Sequence, residues 1–284
     1  MCLGPKACLL SCLAAGGSTA ADPGRRLGYV MDDSTIRTAV TAWFDDRSGA
    51  EATYGHISTW ETGGVTNMWE LFCYSKFCGY RNDGASSFNE DIGAWDTSGV
   101  TIMYEMFYEA SAFNQPLNDW RVDKVTTMSS MFARAARFNQ PLGDWIVDSV
   151  TDMGDMFWAA SSFNQTISDW RVDQVTDMEQ MFWSASAFDQ PIGDWRVDKV
   201  TSMYYMFKGA SSFNQPINNW QVNNVEDMMT MFSSATNFNQ PLGDWRLDSV
   251  TRIWRMFYSA SAFNQDLGWC VGDDVDLDLS LIHI

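Results

Sequence analysis

One tryptophan recurs through this chain every 25 residues, at Trp95, Trp120, Trp145, Trp170, Trp195, Trp220 and Trp245. The phrases that end in it are near-copies, and FNQPLGDW at 138–145 is written again, letter for letter, at 238–245. A fixed period overrides the domain count that 284 residues would otherwise suggest. A unit this short has no way to bury its own apolar face, so successive copies must cover one another.

The turn opening at Trp170, WRVDQVTDMEQMFWSASAFDQPIGD, shows what each copy asks for. Trp170 and Val172 alternate with Arg171 and Asp173, which predicts a short strand buried on one face. Met178, Met181, Phe182, Ala185 and Phe188 then gather on one side of a helix wheel, with Thr176 as N-cap and Glu179 completing a capping box. Pro191 marks the return loop. The expected fold is an α/β repeat solenoid, leucine-rich-repeat-like, with parallel strands on one side and short helices on the other. Stacking places Val, Met and Phe columns inside, so the methionines read as core. A further column, Asn114, Asn139, Asn164, Asp189, Asn214, Asn239 and Asn264, reads as an internal ladder in which each side chain bonds the backbone of its neighbour. Asn164-Gln165-Thr166 forms a glycosylation sequon, but a buried Asn164 would not be modified.

Trp60, Val65, Met68 and Phe72 repeat the same offsets, so Trp60 opens the first of eight copies, spanning 56–271. The next Trp of that column, Trp95, comes 35 residues later, which places a protruding insertion near 73–83. Residues 22–55 form an expected N-terminal helical cap, with Ser34 as N-cap and Ile36, Val40, Trp43 and Phe44 on one face. Residues 1–21 carry Lys6, a short apolar run and a small-residue segment, the order of a secretory signal peptide, and 272–284 form an irregular tail. Three cysteines, Cys73, Cys78 and Cys270, lie outside that leader, and the four-residue spacer of CYSKFC favours a local disulfide over a metal or redox site.

The unit W-x-V-x-x-V-T-x-M-x-x-M-F-x-x-A-x-x-F-N-Q-P-L-x-x-W resembles the repeat of the BspA-like leucine-rich-repeat surface proteins, the DUF285 group, over about three quarters of the chain. The resemblance implies a protein displayed on or shed from cells, with adhesion or protein binding as its role. It implies no catalytic residues.

A net charge of -18 and a pI near 4.2 set the surface against nucleic acid phosphates and anionic lipid, and no apolar stretch is long enough to span a bilayer. The two histidines, His56 and His283, are too few for a triad or a His-based metal site, so no enzyme is expected. Outward charge is arranged in columns. Arg121, Arg171, Arg196 and Arg246 lie between Asp residues on both sides, including Asp123, Asp173 and Asp198. The plain account is a charge ladder in which Arg offsets Asp; calcium held between turns is the sharper alternative. Trp158 and Trp183 occupy a variable position beyond the core, where they form either a platform for a sugar or apolar partner or a pair stacked on each other. The function expected from all this is a non-enzymatic, secreted or cell-surface protein binding a macromolecule through the Arg and Asp columns or the tryptophan pair. The alternative is a carbohydrate-binding or polysaccharide-active protein using the acidic face.

Overall fold

A computed structural model describes residues 28–269; the expected leader 1–21 and the expected irregular tail 272–284 lie outside the described residues. The chain begins with β1 (Val30–Asp32), α1 (Asp33–Asp45) and α2 (Arg47–Tyr54), and β2 (Glu61–Gly64) then pairs in parallel with β1. The N-cap of α1 is Asp32 rather than Ser34: its carboxylate accepts from the backbone N–H groups of Ser34 at 3.0 Å and Thr35 at 2.7 Å. An ionised acceptor satisfies two orphan donors at once and also favours the positive end of the helix. Trp43 meets Trp60 edge-on at 6.2 Å, and Phe44 meets Phe72 at 6.3 Å and Phe88 at 5.8 Å, so α1 covers the first turn.

From Asn67 onward each copy pairs with the next through a parallel bridge, running Asn67, Ile102, Thr127, Asp152, Asp177, Ser202, Asp227 and Arg252. This is a repeat protein, and the bridges fall on the Thr-x-Met segment, not on the Trp-x-Val segment where a strand was expected. Hydrogen bonds between copies continue beyond each bridge. Gln180 N–H donates to the Tyr204 carbonyl at 2.8 Å, Phe182 to Met206 at 2.9 Å and Ser184 to Lys208 at 2.7 Å.

The expected helices at Thr176–Phe188 and its equivalents are not formed; among the described residues the α-helices are α1 and α2. The copies are built instead from successive tight turns, each closed by an N–H donating to the carbonyl three residues back. In the Trp170 copy these turns close Val172–Val175, Met178–Met181, Phe182–Ala185, Ala185–Phe188 and Ile192–Trp195, at 2.9 to 3.3 Å. Apolar residues occupy the two ends of each turn, and the ends are what the core buries. Thr176 does not cap anything: its hydroxyl and its N–H both donate to the Thr151 carbonyl of the preceding copy, at 3.2 and 2.9 Å.

Two of these turns place their third residue at positive φ, such as Gln180 at 57° and Ser184 at 56°, the geometry of type II turns. In the column that contains Ser184, Gly209 at 68° is the glycine; Arg134, Ala159, Ser234 and Ser259 adopt the same region with a side chain. Each such residue carries a local cost of about 1 kcal/mol, which the hydrogen bonds to the neighbouring copy offset.

The interior is a set of ring columns. Trp170 stacks on Trp195 at 6.5 Å and Phe182 on Phe207 at 5.6 Å, while Phe182 also stacks on Phe188 of its own copy at 4.0 Å. Each indole of the stacked Trp column keeps its N–H satisfied, as Trp170 does on the Leu142 carbonyl at 2.9 Å, whereas the Trp69 indole N–H outside that column is buried without a partner among the described residues. The asparagine ladder is present but runs along the surface rather than inside. The Asn139 side-chain oxygen accepts from the Asn164 N–H at 2.9 Å, and Asp189 takes the same role toward Asn214 at 2.9 Å. Asn164 is exposed.

The insertion does not simply protrude. A Cys73–Cys78 disulfide, the Asn82 N–H on the Cys73 carbonyl at 2.8 Å and the Tyr80 N–H on the Glu70 carboxylate at 2.8 Å fold it back, and both cysteines pack with Tyr108, Ala133 and Trp158. Phe77 remains outside, 79% exposed.

Candidate functional site

Tight turns at both ends of the Trp-x-Val segment bury Trp170 and Val172 and turn Arg171 outward. The same local rule operates in every copy, so the outward residues form a grid. Arg171 lies 3.1 Å from Asp148 of the preceding copy and 3.5 Å from its own Asp173. Arg196 repeats the arrangement, 3.8 Å from Asp173 and 3.6 Å from Asp198. Arg121 pairs with Asp123 at 3.5 Å and Arg246 with Asp248 at 3.9 Å. The four guanidinium side chains stay 65 to 74% exposed, so their energetic weight in the fold is small. Ile146 breaks the Arg column with an exposed apolar residue, and Gln221 breaks it with an amide.

Trp158 and Trp183 lie on a different part of the copy and stack on each other at 5.0 Å, 14° from parallel. Arg134 lies over the Trp158 ring at 4.4 Å and Lys208 over Trp183 at 4.9 Å. The order is thus cation, indole, indole, cation, and each ring has one face on its partner and a cation over the ring. A sugar ring seeking an open indole face would have to displace a cation. The structure does not bring this pair together with the Arg and Asp grid into one cluster.

Sequence reasoning missed a second acidic row, beside the bridges. Asp152 and Asp177 both approach Gly154, and Asp155 and Glu179 lie next to them. Burial, with the charges of Asp177, Glu179 and Asp152 behind it, pushes the Asp155 carboxyl up to about 7. Burial also raises Asp177, Asp227 and Glu105, the Asp227 shift persisting although Arg252 lies 2.6 Å away. The available signal was the position before and after each Met of Thr-x-Met-x-x-Met, which a helix assignment had dispersed around a wheel. One group among the described residues offers three metal-binding atoms within 4.8 Å, from Cys73, Cys78 and Glu105, but the disulfide engages both sulfurs. No described helix is long and apolar enough to cross a membrane.

Two stretches of the chain, residues 38–170 and 161–269, match a family model described as "Mycoplasma protein of unknown function, DUF285". No curated protein and no solved structure matches the chain.

Proposed function

Because the chain belongs to the DUF285 family, we propose that it is a non-enzymatic binding protein, secreted or held at a cell surface, whose Arg and Asp grid engages a protein partner. On this reading the stacked copies form a leucine-rich-repeat-like solenoid of the BspA type, with tight turns in place of helices.

The carrying observation is that Arg171 and Arg196 are exposed yet each is clamped by carboxylates of two successive copies. An exposed side chain already held in place loses little rotamer freedom when a partner docks, so the surface is preorganised. The net charge of -18 selects a partner with a basic face and speeds its encounter. The Cys73–Cys78 disulfide supports an oxidising compartment. Cell-surface proteins screened against the immobilised chain should yield a ligand whose affinity falls steeply between low and physiological salt. Replacing Asp123, Asp148 and Asp173 together by Asn should weaken that ligand by roughly tenfold or more. Affinity unchanged by salt and by those replacements would place the contact elsewhere.

A further inference from the structure

In the copy that opens at Trp220, all three charged columns of the grid change together. Asn219, Gln221 and Asn223 stand where the preceding copy has Asp194, Arg196 and Asp198. The structure places a hollow of about 480 Å³ at that junction, lined by these residues and by Gly193 and Trp195. We propose that this hollow, which Arg196 and Asp198 of the grid border on one side, is a binding site for a neutral saccharide.

The hollow exists because a bridge is missing. Arg171 and Arg196 each reach back to the Asp of the previous copy and close the groove between turns. Gln221 is too short to do so and donates instead to the Asn219 carbonyl of its own copy at 3.2 Å. Asp198 therefore keeps Arg196 as its guanidinium partner, at 3.6 Å, and gains none from the copy that follows. The side-chain amides of Asn219 and Asn223 have no partner among the described residues. Two free carboxamides beside two carboxylates and one guanidinium offer both donors and acceptors, with a net charge of one negative unit.

The chemistry of the lining excludes most other ligands. An anion meets Asp194 and Asp198, and a cation meets Arg196. A peptide gains little without an apolar recess for a side chain, and the one large apolar residue of the lining, Trp195, is 3% exposed. Vicinal hydroxyls match amides and a carboxylate without either cost, and the volume suits a ligand of one or two sugar rings. With no open ring to stack on, affinity should lie near the millimolar range.

Saturation-transfer NMR on the folded chain tests this with maltose, cellobiose, lactose, mannobiose and N,N′-diacetylchitobiose as probes. At least one should receive saturation, and titration should yield a dissociation constant near the millimolar range. The triple variant Asn219→Asp, Gln221→Arg, Asn223→Asp writes the residues of neighbouring copies into the same backbone positions. It should keep the melting temperature within about 2 °C and lose binding by roughly tenfold or more. The single variant Asn223→Ala, at an exposed position, should weaken binding in the same direction. No saturation transfer to any of the five sugars, or transfer undiminished in both variants, would overturn the proposal. Because Asp123, Asp148 and Asp173 lie outside the hollow, their Asn variants should bind the sugar unchanged, which separates this site from that part of the grid.

Discussion

The Arg171 guanidinium lies 3.1 Å from the Asp148 carboxylate, one copy earlier in the stack. A guanidinium placed between two carboxylates supplies charge that a cation would otherwise bring.

Calcium should therefore change little. Millimolar calcium is expected to raise the melting temperature by less than about 2 °C in the unmodified chain. A larger rise, reversed by chelator and absent in Asp173→Asn, would show that a cation binds there in spite of the arginines.

Stability should fall as pH rises from 5 to 8. Asp155 has its folded value near 7, above the ordinary 3.8, so the folded chain holds a proton that the unfolded chain has released. The stabilisation is complete below about pH 4 and lost as pH rises through 7. Asp177, Asp227 and Glu105 are shifted the same way and add to the slope. Asp155→Asn should melt a few degrees higher than the parent at pH 8 and about the same at pH 5. A parent melting curve that is flat across this range would contradict the buried state of the carboxyl.

Ala159 adopts φ 53°, in the column where Gly209 sits at 68°. Ala159→Gly should stabilise by about 0.5 to 1 kcal/mol, because relief of the left-handed strain exceeds the entropy that glycine adds to the unfolded chain. Gly209→Ala should destabilise by a similar amount, since its Cβ would also lie 3.2 Å from the Ser184 hydroxyl. Urea titrations of both variants measure this, and equal midpoints for all three proteins would remove the strain argument.

Met181 is fully buried between Met156 and Met206 of its column. Met181→Asp should cost about 4 kcal/mol or more, since the charge has no partner and two interfaces between copies share the damage. Hydrogen exchange should show protection lost in the copies on both sides. Loss confined to residues 170–194 would mean that the copies unfold singly.

What the sequence determined by itself was the repeat, its register and its core. The 25-residue recurrence of Trp, Val, Met and Phe is read from spacing alone, because identical residues at a fixed period can bury themselves only against their own copies. The outward Arg and Asp columns follow from the same register, and so does the break at Gln221. The local conformation was not determined so directly. Val172, Val175, Met178 and Met181 keep a strict spacing of three, which drifts around a 3.6-residue helix but repeats evenly along a chain of three-residue turns. Taken from Met178 onward, the pattern fits either. Tertiary structure decided between them, because in a helix the carbonyls of Tyr204 and Met206 would point along their own segment. Here they accept from Gln180 and Phe182 of the copy before. Only the neighbouring copy supplies those partners, and with them comes the acidic row beside Asp155, which no reading of a single copy brings together.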